Sequence, residues 1–519
     1  MTGWGLIAAV AAAVGVLLVG LAIWDLAQRE HAVLRNFPIV GHLRYVLEAV
    51  GPELRQYIVT DNDSERPFSR DQRRWVYTSA KEVDNVFGFG TDNDLELSPN
   101  YLVVKHAAFP ADAAPAGHEF ATAPDWRAPV AKVLGATRGR SGAFRMPSIV
   151  NVSGMSFGSL SGAAVRALNQ GAARAGCLQS TGEGGLTEHH RHGGDLVWQI
   201  GTGYFGCRDD HGRFSLDHFR ETLARFPQVR AIEVKLSQGA KPGLGGLLPG
   251  VKVTPEIAAI RGVPVGVDCH SPARHTAFGS VDALLDFVEL LAAESGRPVG
   301  IKSAVGEQTF WQQLSDLMAS DHGRGVDFVV IDGGEGGTGA APLAFSDHVA
   351  LPFKIGFARV HREFAERRLA DRVVFVGSGK LGFPETAVLA FALGCDAINV
   401  GREAMLAIGC IQSQRCHSGH CPTGVATQSR RLERGLDPTH KGVRCARYLQ
   451  TLRREILQLA RAVGVPHPAF VTPADLEILD DRFGSRTVAD AFDYAPGWGR
   501  PSDADLATLA ELLGVPTTP

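Results

Sequence analysis

The sequence has little excess charge, few cysteines, and no long apolar run after its first 26 residues. The formal net charge is -3 over 519 residues. A nucleic-acid-binding surface normally makes a chain strongly basic, so nucleic acid is not expected as a partner. Eight cysteines are too few for a disulfide scaffold in a chain of this length. What remains is a glycine-rich chain, with 60 glycines, whose composition is typical of a globular enzyme.

One long apolar run stands at the N-terminus, from Gly5 to Leu26, and only Asp25 interrupts it. About 20 apolar residues are needed for a helix to cross a bilayer, so residues 1–26 are predicted to be a transmembrane anchor. A cleaved signal peptide and a buried helix are the alternatives. No basic segment precedes the run, and no Ala-x-Ala site follows it cleanly. Because positive charge follows the run, the positive-inside rule predicts a single-pass membrane protein with a cytoplasmic catalytic domain.

From about Pro147, short β-rich runs alternate with stretches that suit helices. Eight such units predict an α/β fold, a parallel TIM (β/α)8 barrel. Val265–Asp268 is a further run, interpreted as a strand inserted between the fourth and fifth units. The eight predicted barrel strands are Ile149–Val152, Cys177–Thr181, Leu196–Ile200, Ala231–Leu236, Val299–Lys302, Phe328–Ile331, Val373–Val376 and Ala397–Val400.

The pattern divides the chain into four parts. Residues 1–26 are the anchor, and residues 27–140 are an N-terminal α/β extension with an Ala- and Pro-rich linker near its end. Residues 141–430 form the barrel domain with a cysteine loop. Residues 431–519 are predicted to be a mainly helical C-terminal extension. No NAD-binding Gly-x-Gly-x-x-Gly unit is recognised after a strand, so a separate electron donor or acceptor protein is expected.

Three cysteines crowd into one short loop: Cys410, Cys416 and Cys421. Clustered cysteines in an intracellular enzyme favour metal binding over disulfides. Three thiolates suit either a zinc ion or an iron–sulfur cluster, and spacing alone favours neither. His417 could complete a zinc site.

Most of the barrel strands are followed by polar or glycine-rich residues, which is where such barrels carry their chemistry. The loops after strands seven and eight suit a phosphate group, because glycine allows close approach and a lysine or arginine neutralises charge. They contain Gly377, Gly379, Lys380, Gly401 and Arg402. Lys235 and Lys302 end strands four and five, an unusual place for lysine unless negative charge is near. The glycine-rich stretch after strand six, with Gly334 and Gly337, suits a backbone cradle.

Residues 140–430 resemble the synthase domain of the glutamate synthase family, in particular its short FMN-binding members with an N-terminal membrane segment. The matching motifs are Met155-Ser-Phe-Gly-Ser159, Thr181-Gly-Glu-Gly-Gly185, Gly336-Gly-Thr-Gly-Ala-Ala-Pro342 and Cys421-Pro-Thr-Gly-Val-Ala-Thr-Gln428.

The resemblance implies an FMN- and iron–sulfur-dependent oxidoreductase acting on CH–NH2 donors, in its narrow form an enzyme that makes glutamate from 2-oxoglutarate and ammonia. It implies a [3Fe-4S] cluster on Cys410, Cys416 and Cys421, with His417 not a ligand. Glu183, Lys235, Gln238 and Lys241 are implied as catalytic residues. FMN would be bound by Met155, Ser156, Thr181, Lys235, Lys302, Gly334, Gly337, Gly377, Gly379, Lys380, Gly401 and Arg402.

The sequence departs from the family pattern near the expected substrate. Leu244 and Leu247 replace a glutamate and a glutamine, and Tyr204 replaces an arginine. No amidotransferase segment is recognised. Two other functions therefore stay open: an FMN-dependent dehydrogenase of another small acid that passes electrons to a membrane acceptor, and a non-catalytic anchored electron-transfer protein.

Overall fold

The computed structural model describes residues 3–86, 88–112 and 128–515. The predicted Ala- and Pro-rich linker therefore lies largely outside the described residues. Two compact units are present, Met1–Asp71 and Gln72–Pro519. The four-part division drawn from the sequence stays a prediction.

The first unit is helical. Helix α1 (Gly3–Ala27) is followed by α2 (Ala32–Asn36) and α3 (Gly41–Leu54), and a π-helical turn (Arg55–Val59) continues α3. α1 is long and apolar enough to cross a membrane by length and composition. At 1.5 Å per residue, its 25 residues extend over about 37 Å, more than the roughly 30 Å of a hydrocarbon core.

The second unit contains a closed barrel of eight parallel strands, which confirms the predicted fold class. Each strand pairs with the next, and the eighth returns to pair with the first. All eight lie within or beside the predicted runs, because buried parallel strands are continuous apolar segments. The strands are β1 (Val150–Val152), β2 (Gln179–Ser180), β3 (Leu196–Ile200), β4 (Val229–Lys235), β5 (Val299–Ser303), β6 (Phe328–Asp332), β7 (Val374–Ser378) and β8 (Ala397–Val400).

Helices of the second unit begin and end where local sequence signals place them. The Ser161 side chain accepts a hydrogen bond from Ala164 N–H at the start of α5, and Gly176 ends that helix with φ +62°. The helices are α4 (Arg70–Lys81, which begins at the boundary between the units), α5 (Gly162–Ala175), α6 (Leu216–Arg225), α7 (Pro255–Arg261), α8 (Val281–Ser295), α9 (Thr309–Ser320), α10 (Leu343–His348), α11 (Phe353–Glu366), α12 (Pro384–Ala392), α13 (Arg402–Ala407), α14 (Arg430–Glu433), α15 (Pro438–Val463), α16 (Val488–Ala491) and α17 (Asp503–Leu513).

The C-terminal extension packs closely on the barrel through α15, which lies against α5. A Cβ atom at Gly171 would lie 2.5 Å from the Cβ atom of Cys445, so only glycine allows this approach of the two helices. The guanidinium of Arg453 is fully buried and donates to the Ser148 hydroxyl at 2.8 Å and to the Ala175 carbonyl at 2.6 Å. The extension therefore forms part of the core.

Two features differ from the sequence prediction. Val265–Asp268 is not a strand: Gly266 has φ +73° and makes a turn, and the strand lies at Cys269–His270, paired with Leu247–Leu248. The mainly helical C-terminal region also contributes strands to an antiparallel sheet, in which Tyr101–Val104 pairs with Leu476–Leu479 and that strand pairs with Ser485–Thr487. Short pairings between segments so far apart in the chain leave no periodicity to detect.

Candidate active site

The loops after the barrel strands meet at the carboxyl-terminal end of the barrel and touch through their backbones. Gly182 has φ +68°, and a Cβ atom there would lie 2.5 Å from the amide nitrogen of Ser156 and 2.8 Å from the carbonyl carbon of Met155. The loops after β1 and β2 therefore meet at a position that only glycine allows. Thr181 is fully buried, and its hydroxyl donates to the Gly182 carbonyl at 3.0 Å.

The four predicted catalytic residues come together at this end of the barrel. The Lys235 ammonium lies 2.7 Å from a carboxylate oxygen of Glu183 and donates to the amide oxygen of Gln238 at 2.6 Å. Lys241 lies close enough to Glu183 and Lys235 for their charges to shift its pKa. Together they line a small cavity, to which Leu244 also contributes.

Charge coupling fixes the protonation of this cluster. Burial alone would raise the pKa of Glu183, but the positive charges of Lys235 and Lys241 outweigh it and lower the pKa to about 2. Glu183 is therefore a carboxylate at neutral pH and cannot serve as a proton donor. Burial lowers the pKa of Lys241, against the opposing effect of Glu183. Of the two groups, Lys241 is the better suited to give up a proton.

A second set of charges fills the barrel interior beside this cluster. Lys302 lies 3.7 Å from a carboxylate oxygen of Asp332, and both side chains are buried. The other Asp332 oxygen accepts from Gly239 N–H at 2.8 Å. Burial alone would raise the pKa of Asp332, yet the pKa is lowered, mainly by Lys302. Burial raises the pKa of Glu233, which accepts a hydrogen bond from Gln199.

Sequence reasoning missed Glu233, Gln199 and Asp332 as parts of this network. The signal was present, because successive strand residues point to opposite faces. Glu233 and Lys235 are therefore on one side of β4, directed into the barrel. A carboxylate inside an apolar strand, two residues before a lysine, could have identified the network.

The predicted phosphate-binding loops after β7 and β8 come together with the glycine-rich loop after β6. Gly333 N–H donates to the Ser378 carbonyl at 2.8 Å, which joins the loops after β6 and β7. The Arg402 guanidinium donates to the Glu335 carbonyl, which joins β8 to the same place. A Cβ atom at Gly337 would lie 2.5 Å from the Arg402 side chain.

The glycines of these loops serve different purposes. A Cβ atom at Gly377 would lie 2.8 Å from Leu381 and one at Gly334 would lie 2.8 Å from a backbone carbonyl, so both are required by packing. Gly379 has φ +125° and lies against Gly333, whereas a Cβ atom at Gly401 would make only ordinary contact. Lys380 has φ +58°. Gly377–Gly382, at the end of β7, has the Gly-x-Gly-x-x-Gly spacing of dinucleotide-binding loops, which the sequence prediction missed, but it lies in a closed barrel and not in an open βαβ sheet.

The three loop cysteines follow α13. Cys421 is buried, and Cys410 and Cys416 are half-buried. The Tyr77 hydroxyl donates to the Cys410 carbonyl at 2.8 Å, so α4 contacts the loop. Among residues 3–86, 88–112 and 128–515, no three His, Cys, Asp or Glu side chains converge as they would around a single metal ion.

The surroundings of the loop thiols shift their pKa values in opposite directions. Burial raises the pKa of Cys410 to about 12, whereas backbone N–H groups and the Thr423 hydroxyl lower the pKa of Cys421 despite its burial. The buried Lys252 ammonium donates to the carbonyls of Cys416 at 2.9 Å and Ser159 at 2.8 Å. Lys252 thus connects the cysteine loop to the loop after β1, with its charge beside the sulfurs.

Comparison with known proteins identifies the family. A family profile described as "Conserved region in glutamate synthase" matches residues 133–466. The chain belongs to the glutamate synthase family. It is an oxidoreductase of that family.

Individual relatives agree with this assignment. The glutamate synthase large subunit-like protein YerD of Bacillus subtilis is 36% identical over 487 residues, which cover 87% of this chain and 91% of that protein. The archaeal glutamate synthase [NADPH] of Methanocaldococcus jannaschii is 35% identical over 324 residues, covering 62% of this chain and 60% of that enzyme. The alignment thus spans less than two thirds of the archaeal enzyme. Among solved structures, a flavocytochrome b2 variant with sulfite bound overlaps at a TM-score of 0.42 and 13% identity, covering 82% of this chain and 88% of that chain.

The structure separates the three departures from the glutamate synthase pattern. Leu244 lines the cavity. Leu247 lies in the short strand Leu247–Leu248 and is 40% exposed. Tyr204 is fully buried, and its hydroxyl accepts from the N–H groups of Thr276 and Ala277, both at 3.1 Å. Only Leu244 changes the polarity of the cavity wall.

Tyr204 acts on the site through a histidine. His275 Nε2 donates to the Lys235 carbonyl at 2.9 Å, because a carbonyl can only accept. Burial lowers the pKa of His275 to about 4, so the ring is neutral and Nδ1 accepts from the Tyr204 hydroxyl at 3.0 Å. These two hydrogen bonds hold the 271–277 loop against the end of β4. The loop includes Ala273, which lines the cavity.

Proposed function

We propose that this chain is an FMN- and iron–sulfur-dependent oxidoreductase that is anchored in the membrane by α1, with its catalytic domain in the cytoplasm. The observation that carries the proposal is the cavity lined by Glu183, Lys235, Gln238 and Lys241 at the carboxyl-terminal end of the barrel. Barrel enzymes place their chemistry at this end. FMN, when bound, would exchange a hydride with the substrate.

The proposed flavin site fits the residues present. Lys235 and Lys302 are buried cations at strand ends, where they can stabilise negative charge on a reduced ring. The close backbone contacts at Gly182 and Gly333 leave little room for side chains at the loop junctions. Met155, Ser156 and Thr181 would border the ring, and Gly334, Gly337, Gly377, Gly379, Lys380, Gly401 and Arg402 would surround the phosphate.

Within the cavity, Lys241 would bind a substrate carboxylate and supply a proton, while Gln238 orients the substrate by hydrogen bonds. Glu183 would hold both lysines in place as a permanent carboxylate. The narrow form of the proposal is formation of glutamate from 2-oxoglutarate and ammonia. Leu244 favours a second candidate, oxidation of another small acid with an apolar group at that wall, with electrons passed to a membrane acceptor.

Three thiolates in one loop suit either a zinc ion or an iron–sulfur cluster. The resemblance of this loop to the cluster loop of glutamate synthases supports the cluster. In a cluster each cysteine binds its own iron. Cys410, Cys416 and Cys421 would be the ligands of a [3Fe-4S] cluster, with Lys252 compensating its charge.

The cofactors can be tested on the full chain purified in detergent. We expect flavin absorbance, FMN on release by acid, and about three irons per chain after anaerobic reconstitution. Cys416→Ser should lose iron and keep flavin, whereas Cys445→Ser, a buried thiol outside the loop, should keep both. A colourless protein after reconstitution with FMN, iron and sulfide would contradict the proposal.

The substrate can be tested by the direction of flavin change. Reoxidation of the reduced flavin by 2-oxoglutarate with ammonia would support glutamate formation. Bleaching of the oxidised flavin by a 2-hydroxy acid would support the second candidate. Lys241→Ala should raise the substrate concentration needed for half-maximal rate, whereas Lys105→Ala, an exposed lysine outside the barrel, should leave it unchanged.

A further inference from the structure

Helix α3 carries an apolar stripe that faces solvent. The stripe consists of Leu43, Val46, Leu47, Val50 and Leu54, and their exposed fractions range from 41% to 59%. At 100° per residue these positions fall within an arc of about 100°, the width of one helix face. Large apolar side chains rarely form a contiguous exposed stripe unless something covers it.

The other face of α3 is polar. Arg44 and Glu48 form an ion pair at 2.7 Å one turn apart, and on the helical projection they lie outside the stripe, about 110° and 150° from its centre. The segment before α3 extends the apolar surface with Phe37 and Val40, which are 63% and 71% exposed. This division is found in helices that lie in the plane of a membrane surface, as well as in helices that pack on a protein core.

The start of α3 is fixed to the end of α1. Asp25, in the last turn of α1, is fully buried, and its carboxylate accepts from Ile39 N–H at 2.9 Å and contacts His42 Nε2 at 2.9 Å. A Cβ atom at Gly41 would lie 3.1 Å from the Leu34 side chain, so α2 packs tightly against the start of α3. α3 therefore begins at the level where α1 ends.

We propose that α3 is an interfacial helix, whose apolar stripe is covered by the bilayer surface into which α1 inserts. This inference rests on the proposed anchoring of α1. If α1 spans the hydrocarbon core, its last turn lies at the headgroups, and the contacts of Asp25 hold the start of α3 at the same depth. Arg29 and Arg35, both exposed, lie between the two helices and can reach lipid phosphates.

The inference can be tested with the full chain in vesicles of phosphatidylcholine and phosphatidylglycerol. Benzoylphenylalanine is placed by itself at the position of Leu47, of Glu48, or of Leu17 in α1, and lipid adducts are measured by mass spectrometry after irradiation. Successive helical residues are about 100° apart, so Leu47 lies within the stripe while Glu48 lies about 150° from its centre, and the two positions are matched controls. All three side chains are exposed, so the probe leaves the fold intact.

We expect lipid adducts at positions 17 and 47, and only the background level of adducts at position 48. Adducts at 17 with none at 47 would overturn the interfacial helix while leaving the anchor standing. If position 47 instead crosslinks to a second copy or to another part of the chain, a protein surface covers the stripe, and the inference is wrong. A lack of lipid adducts at 17 would overturn the anchor together with this inference.

Discussion

Replacing Glu183 by glutamine tests the charge balance of the candidate site. Glutamine has the shape of a protonated glutamate, so the variant removes the negative charge that lies between Lys235 and Lys241 and little else. The pKa of Glu183 falls from an ordinary value of 4.5 to about 2 in the folded chain. At about 1.4 kcal/mol per pH unit, this corresponds to about 3 kcal/mol of folding free energy at neutral pH. The side chain is 21% exposed and therefore partly screened by solvent, so this value is an upper limit.

The pH dependence has a definite sign. A carboxylate whose pKa is lowered by folding stabilises the folded state above pH 4.5, and this contribution is lost as the pH falls towards 2. The difference in unfolding free energy between wild type and Glu183→Gln should therefore be about 3 kcal/mol at pH 7 and about 2 kcal/mol at pH 3.5.

Urea unfolding of both proteins in the same cofactor state measures this difference. Glu188→Gln is the matched control, because Glu188 is 65% exposed in a surface pair with Arg191 and should change stability by less than about 1 kcal/mol. A Glu183→Gln difference below about 0.5 kcal/mol at pH 7, or one that grows as the pH falls, would refute the charge balance described for this cavity.

Three further substitutions test contacts around the site. Gly182→Ala should displace the Ser156 loop and abolish flavin retention, read as absorbance per chain after gel filtration; full retention would contradict the close contact. Lys252→Met should lower the midpoint of thermal unfolding by several degrees, since two partly buried carbonyls lose their donor, whereas the exposed Lys81→Met should not change it. Tyr204→Phe should leave the 271–277 loop less well held and raise the substrate concentration at half-maximal rate more than it lowers the maximal rate; a lower maximal rate at an unchanged half-saturating concentration would place the residue's effect elsewhere.

Much of the fold could be predicted, because the barrel strands are local signals. β4 is a mostly buried apolar run that ends in Lys235. Its sequence alone predicts a strand, without any knowledge of the strands beside it. The predicted catalytic residues also meet in one cavity, since the ends of parallel strands converge. Their roles remain predictions.

What the sequence could not reveal depends on partners far along the chain. Arg453 looks like any helical arginine until Ser148 and Ala175 surround it, 278 or more residues away. Tyr204 looks like an altered substrate contact, yet its hydroxyl is occupied by the 271–277 loop. In both cases the tertiary environment, and not the residue type, decides the function.

The pairing of Tyr101–Val104 with Leu476–Leu479 has a consequence for biosynthesis. The first strand leaves the ribosome long before its partner is made, and at roughly 5–20 residues per second the wait is tens of seconds. During that time its backbone groups have no strand to pair with. The barrel, which lies between the two strands in sequence, must form before they pair with each other. Pairing of this strand is thus a late step in the folding of the second unit, because it waits until Leu476–Leu479 has been made.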